Sequence, residues 1–332
     1  MIRQSNHITD AFGRKHDYLR ISLTDRCNLR CTYCMPEEGV ALRSKNEFMT
    51  SEEVIQIASA FVSLGIKKIR LTGGEPLIKK DFNNILHQLS RLGVEISITT
   101  NGILLHKHFD SILEAGVTKI NISLDTLKRQ KFNLITRRDY FDLVYENIQN
   151  SLLIFDEVKL NVVLIKGKND NELIDFIDFT KENKVNIRFI EYMPFDGNNW
   201  RKELTVTQSE INNILQLNYG NKIVKLLDDN HSTSRNFKIE KHLGTFGFIN
   251  TITNPFCDSC NRIRLTADGK LKNCLFSSNE MNLLYPLRSG KDIIPLIFKN
   301  INEKFRNHGG INSFEKDSHI YNKNRTMIAI GG

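Results

Sequence analysis

Cysteine is grouped in this chain: Cys27, Cys31 and Cys34 lie near the start, and Cys257, Cys260 and Cys274 lie near the end. The spacings are Cys-x3-Cys-x2-Cys and Cys-x2-Cys-x13-Cys, and they use all six cysteines of the 332 residues. Three thiolates can hold three irons of a cubic 4Fe–4S cluster and leave the fourth iron open to a small molecule. A closed site needs a fourth ligand, which neither group supplies as cysteine. Two open sites on one chain point to chemistry more than to electron storage.

Zinc is the competing reading. Cys-x2-Cys pairs hold zinc when a further Cys or His closes the tetrahedron, and His231 and His242 precede the second group, so a Cys3His site stays open there. Three disulfides would need an oxidising compartment. Residues 1–17 are polar and lack the apolar core of a signal peptide. No stretch reaches the roughly 18 apolar residues of a membrane span. The expectation is a cytoplasmic, reducing setting without a membrane partner, where such cysteines are metal ligands or catalysts.

The elements that must position these groups read as alternating strands and helices over residues 18–193. Strands are expected at 18–24, 68–72, 94–99, 119–124, 158–164 and 186–191. Thr50-x-x-Glu53 forms a capping box that opens a helix with Val54, Ile57, Ala58 and Phe61 on one face. Asp81 opens a second helix, with Phe82, Ile85, Leu86 and Leu89 at helical spacing. Strand–helix steps of this kind predict a parallel α/β sheet with right-handed crossovers, open or partly closed as a barrel. In such barrels the chemistry sits at the C-terminal strand ends. Those ends are polar here: Thr24-Asp25, Thr72-Gly73-Gly74-Glu75, Thr99-Thr100-Asn101, Ser123-Leu124-Asp125 and Glu191-Tyr192-Met193.

After Met193 the pattern changes. A loop is expected at 194–200, a helix opened by Thr207-x-x-Glu210, a polar exposed segment at 228–240, and a strand at 246–253 leading into the second cysteine group. The boundary falls near 195. It separates a barrel of residues 1–195 from a region of residues 196–332 that covers the barrel mouth. Apolar residues at 40% and charged residues at 25% fit a globular protein with a sizeable core. Lys+Arg 46 against Asp+Glu 38 gives a net charge of +8. That balance is compatible with nucleic acid, with anionic small molecules or with no particular partner, and because the charges are scattered without a long basic run, a dedicated DNA or RNA surface is the minority reading.

The first triad, with Tyr33 before its last cysteine, resembles the cluster loop of the radical S-adenosylmethionine (radical SAM) superfamily, and Gly73-Gly74-Glu75-Pro76 resembles that superfamily's second motif. Cys257-Asp-Ser-Cys260-Asn-Arg262-Ile-Arg264, followed by Cys274, is similar to the GTP 3′,8-cyclase family of molybdenum-cofactor biosynthesis. So are Leu19-Arg20-Ile-Ser, Thr24-Asp25-Arg26-Cys27-Asn28, Thr99-Thr100-Asn101-Gly102, Ile187-Arg188-Phe189-Ile190-Glu191-Tyr192-Met193 and the terminal Gly331-Gly332. The likeness covers nearly the whole chain. Residues 228–242 are less diagnostic, and no role is carried onto them.

The resemblance implies a partial (β/α)6 TIM-type barrel with a C-terminal α+β extension, and a radical SAM lyase. Cys27, Cys31 and Cys34 would bind the SAM-cleaving cluster. Tyr33, Gly74, Ser123 and Met193 would contact SAM. Cys257, Cys260 and Cys274 would bind a second 4Fe–4S cluster, whose open iron meets guanine. Arg20, Arg70, Thr99, Lys159, Arg262 and Arg264 would hold GTP, with Lys68 and Arg188 adding to the basic lining and Arg188 serving as the catalytic helper. A deoxyadenosyl radical would remove the C3′ hydrogen of GTP, the C3′ radical would attack C8, and reduction and protonation would then give 3′,8-cyclo-7,8-dihydro-GTP. An electron donor such as flavodoxin or ferredoxin and the next pathway enzyme, cyclic pyranopterin monophosphate synthase, are the implied partners. A homodimer is compatible with the resemblance. The two terminal glycines are expected to thread into the cavity.

The basic residues also have a rationale of their own. Arg20 and Arg70 fall inside parallel strands, where a charge demands a partner or a cavity. Arg262 and Arg264 share one side of a strand-like run, and guanidinium forks bind phosphate bidentately. Two other classes stay open: a different radical SAM enzyme with an auxiliary cluster, such as a peptide-modifying maturase, and a non-catalytic zinc and nucleic-acid-binding protein.

Overall fold

The structure, a computed structural model, describes residues 7–36, 39, 43–311, 314 and 324–331. Parallel strands β1 (Tyr18–Ser22), β2 (Lys68–Thr72), β3 (Glu95–Thr100), β4 (Lys119–Ser123), β5 (Glu157–Leu164) and β6 (Val185–Glu191) pair in chain order. The strands carry mainly apolar residues on one face and mainly polar residues on the other. Leu19, Ile21, Ile69, Leu71, Ile98, Ile120, Leu160 and Ile187 form the outer face and are buried. They pack beneath the crossover helices, among them α1 (Ser51–Ser63), α2 (Phe82–Ser90) and the helix Phe141–Ile154. The residues between them face inward. Burial on both faces is usual for parallel strands, so a polar inner face marks a cavity.

Local signals act as expected at α1, where Thr50 and Glu53 form both bonds of the capping box. The same box, from Thr207 and Glu210, opens a helix at Gln208–Tyr219. Asp81 precedes α2 but does not cap it; its carboxylate accepts instead from Ser51 Oγ at 3.0 Å, tying α2 to α1.

The residues after 195 extend the same sheet at both edges. Strands β7 (Ile223–Lys225), β8 (Arg235–Ile239) and β9 (Thr245–Ile249) add beside β6, and β10 (Arg262–Leu265), β11 (Lys270–Lys272) and β12 (Met281–Asn282) add beside β1. The result is one open twelve-stranded sheet, a partial barrel whose order is β12-β11-β10-β1-β2-β3-β4-β5-β6-β9-β8-β7. β9 runs parallel to β6 and β10 parallel to β1, so the inner-face pattern continues into both.

Two expectations are corrected here. The polar segment 228–240 is not simply exposed: it contains β8, and Ser234 and Ile239 are buried. The strand expected over 246–253 stops at Ile249, because Ile252 and Thr253 donate their backbone N–H groups to Glu191 Oε2 at 2.7 and 3.2 Å rather than to a ladder.

Candidate active site

The inner face and the strand ends enclose a cavity of about 530 Å³, within the range of small-molecule sites. All six cysteines line it, and so do Tyr33, Gly74, Ser123, Met193, Arg20, Arg70, Thr99, Lys159, Arg188, Arg262 and Arg264. The fold therefore gathers every candidate site residue around one space.

At one side the first cysteine loop is pinned to the Gly73-Gly74-Glu75-Pro76 turn. Gly74 N donates to Thr24 O at 2.6 Å and Glu75 N to Arg26 O at 2.8 Å. A Cβ on Gly73 would meet Thr24 O at 2.7 Å, and one on Gly74 would meet Arg26 O at 2.2 Å. These glycines let two backbones touch. Buried Glu75 accepts from Thr100 Oγ1, Asn101 N and Leu77 N. Burial pushes its carboxyl up to about 7 against those bonds. Asn101 in turn reaches Asn28 Oδ1 at 2.7 Å and Cys27 Sγ at 3.7 Å. Tyr33 donates to Asp125 Oδ2 at 2.7 Å. After β6, Asn198 Nδ2 donates to Met193 O at 2.7 Å and fixes that loop.

The cations form the floor and the far wall. Register places Arg20 beside both Arg70 and Arg264, and Arg188 beside Asn161. Arg70 Nε donates to Ser97 Oγ at 3.1 Å, and Asn121, with its amide oxygen turned toward the guanidinium, accepts from Arg70 at 2.5 and 3.1 Å. Burial is the main cause that lowers Arg70 and Arg188 to about 10 and Lys159 to about 8. Neighbouring guanidinium groups depress them further. The lysines of this set have carboxylate partners: Glu157 pairs with Lys159 at 2.6 Å and Glu95 with Lys68 at 2.7 Å. Arg20 Nε, Arg262 Nη1 and the Tyr18 hydroxyl are buried without a partner among the described residues. Buried donors of this kind amid like charges call for acceptors of opposite charge.

Sequence reasoning missed two features of this wall. Tyr18 is central to the cations: Arg20, Lys68, Arg70 and Arg262 lie 5.6–5.9 Å from its ring centroid. Burial raises its hydroxyl pKa, but these cations outweigh that and bring it down to about 8. The alternation of Tyr18 with Arg20 on β1 was the available signal. The second feature is Asp229, Ser232 and Thr233, which line the cavity from the segment given no role, together with His231, offered by the sequence only as a zinc ligand. His231 O accepts from Arg262 Nη2 at 2.6 Å.

The donor sets fit iron–sulfur clusters. Burial is the main cause that pushes Cys27 up to about 11 and Cys34 up to about 12, with Cys31 also raised. Such thiols become thiolates when a metal balances the charge. Among the described residues no three His, Cys, Asp or Glu groups are gathered for a single metal ion. In a cubane each thiolate takes a different iron, so its ligands stand farther apart than those of one zinc. His242 is committed elsewhere, with Nδ1 2.9 Å from Thr180 Oγ1 and its ring edge-on to Tyr219.

A barrel of this kind with a three-cysteine loop after β1 defines a radical SAM protein, and residues 21–180 match the Radical SAM superfamily. Residues 185–310 match Molybdenum Cofactor Synthesis C. The chain is 43% identical to the GTP 3′,8-cyclase of Peptoclostridium acidaminophilum over 98% of each chain. It is 44% identical to the mitochondrial GTP 3′,8-cyclase of Arabidopsis thaliana, covering 99% of this chain and 84% of that protein. The chain therefore belongs to the GTP 3′,8-cyclase family of radical SAM proteins. It spans about half of other curated relatives: 52% of Molybdenum cofactor biosynthesis protein 1 of Dictyostelium discoideum, at 44% identity over 98% of this chain. Among solved structures, Streptococcus suis SuiB is similar in fold, with a TM-score of 0.62 at 16% identity over 92% of this chain and 70% of SuiB. Membership of the superfamily implies a 4Fe–4S cluster and S-adenosylmethionine. Among the described residues no helix is long and apolar enough to cross a membrane.

Proposed function

We propose that the chain converts GTP to 3′,8-cyclo-7,8-dihydro-GTP, an early intermediate of molybdenum-cofactor biosynthesis. The observation that carries this reading is the cavity shared by two cysteine triads and by the cations Arg20, Arg70, Lys159, Arg188, Arg262 and Arg264. The family relatives named GTP 3′,8-cyclase support it.

In this reading Cys27, Cys31 and Cys34 hold the SAM-cleaving cluster, and Cys257, Cys260 and Cys274 hold a second one. When bound, the first cluster and SAM would supply a carbon radical able to remove the C3′ hydrogen of GTP; C3′ would then bond to C8, and one electron from the external donor with one proton would complete the 7,8-dihydro product. The chain's own residues do the rest. Gly74 and Met193 offer backbone beside the first triad, with Tyr33 and Ser123 flanking SAM. Arg20, Arg70, Lys159, Arg262 and Arg264 neutralise the triphosphate, and Thr99 lies among them on the inner face. Fixing both reactants this way removes the entropic part of the barrier. Arg188 keeps its charge at neutral pH and stabilises negative charge that develops on guanine. The enclosing loops exclude water from the radical. A flavodoxin or ferredoxin as electron donor, transfer of product to cyclic pyranopterin monophosphate synthase, a cytoplasmic location and a homodimer belong to the same proposal, as does the division at residue 195.

The test is anaerobic incubation of the iron-loaded protein with GTP, SAM and a strong reductant. The expected products are 5′-deoxyadenosine and cyclised GTP in comparable amounts. Deoxyadenosine formed while GTP stays unchanged would favour a different substrate on the same scaffold.

A further inference from the structure

The two cysteine triads sit in opposite electrostatic surroundings. At the first triad the side-chain charges that raise the Cys27 and Cys34 thiols include the carboxylates Glu75 and Asp125. Behind the second stands Lys304, just past the helix Ile294–Asn302 and only 4% exposed. Its Nζ lies 3.5 Å from Cys260 Sγ and 3.1 Å from Arg262 O. Among the described residues these are its acceptors, and neither is a carboxylate. A buried ammonium needs a compensating anion. A ligating thiolate at Cys260 is the anion within reach.

The same loop is braced a second time from the N-terminal side. Arg14 Nη1 donates to Cys257 O at 2.8 Å. Asp10 holds Arg14 through Nε at 2.6 Å and also meets His16 Nε2 at 3.1 Å. The Cys257–Cys260 turn is thus gripped by two cations, one on a backbone carbonyl and one on sulfur.

We infer that Lys304 is a positioning residue for a cluster on the second triad, donating to the Cys260 sulfur and raising that cluster's reduction potential. Adding an electron makes a cluster more negative, and a fixed positive charge with an N–H···S bond stabilises that form. Through Arg262 O the same ammonium ties the cluster ligand to the strand that carries the cations Arg262 and Arg264. The inference rests on the reading that the second triad holds a 4Fe–4S cluster.

The experiment uses the full chain with Cys27, Cys31 and Cys34 all changed to Ala, so that only the second site can hold iron. Into it go Lys304→Met, which keeps length and loses charge, and Lys304→Arg, which keeps both charge and donors. Iron content is measured first, then the midpoint potential by a redox titration followed by electron paramagnetic resonance. The expected result is equal iron in all three proteins, a more negative potential for Lys304→Met, and a potential near the parent's for Lys304→Arg. Iron lost from Lys304→Met but kept in Lys304→Arg supports the same assignment. Full iron with an unchanged potential in Lys304→Met overturns the role of Lys304 alone, as does loss of iron from both variants. A parent protein that binds no iron overturns the second-cluster reading itself, and the inference with it.

Discussion

Arg264 donates through Nη1 to the carbonyl oxygen of Gly331 at 2.6 Å. One cation of the cavity floor therefore also holds the C-terminal tail, with Ile330 beside it packed against Phe195 and Phe276. Arg262, two residues away on the same strand, has no such contact and donates to His231 O instead. The two arginines should respond differently to the same substitution.

Arg262→Ala and Arg264→Ala should each weaken GTP binding by about 1.5–3 kcal/mol, the usual range for a charge-assisted hydrogen bond. That is roughly ten- to hundredfold in dissociation constant, read by equilibrium dialysis with both iron sites loaded. Arg264→Ala should lose more turnover than affinity, because the tail is released as well. Unchanged affinity in both variants would place these residues outside the binding pocket.

Two clusters on two triads should give about eight irons per chain after anaerobic reconstitution. Changing Cys27, Cys31 and Cys34 to Ala should leave roughly half of that iron and abolish SAM cleavage. Iron analysis and chromatography of 5′-deoxyadenosine read the two outcomes separately. Full iron retention in the triple variant would contradict the assignment of the first triad.

Gly331 has a φ of +87°, and a Cβ there would meet Ser22 Cβ and Thr72 Oγ1 at 2.8 Å. Gly332 lies outside the described residues. Deleting both glycines, or replacing Gly331 by Val, should leave iron content and GTP affinity nearly intact while cyclisation falls sharply. Single-turnover yields of deoxyadenosine and cyclised GTP measure this. Normal yields from the deletion would make the tail a bystander.

His16 gives a pH dependence whose sign follows from its burial. Desolvation is the largest cause and, helped by the charges of Lys304 and Arg14, it lowers His16 to about 4 despite the bond to Asp10. The folded state thus binds the proton more weakly than the unfolded chain does, whose histidine titrates near 6.5. Stability from a neutral His16 is present above pH 6.5 and is lost as pH falls from there toward about 4. His16→Asn should flatten the fall in melting temperature across that window. Parallel curves for variant and parent would remove His16 from the account.

Much of the site was legible before any tertiary contact. Cysteine spacing, the Gly73-Gly74-Glu75-Pro76 turn and the alternation of Arg262 with Arg264 are local features. So are the inner-strand positions of Arg20 and Arg70, because a strand turns every second side chain to the same face. Strands β1 to β6 followed for the same reason, with ends off by a residue or two.

Tertiary structure alone decided the rest. Nothing local says that β9 will lie parallel to β6 and β10 parallel to β1, closing both flanks of one sheet. Pairing energy depends on which distant edge is free, and period-two alternation reads the same against any neighbour. The burial of Tyr18 among four cations, the grip of Lys304 on Cys260 and the seat of Gly331 against Ser22 and Thr72 each join residues far apart in the chain. The sequence by itself determined which chemistry the residues can carry. Whether a lysine is a solvated surface charge or a buried partner of sulfur depends on what folds over it, and only the packed structure supplies that.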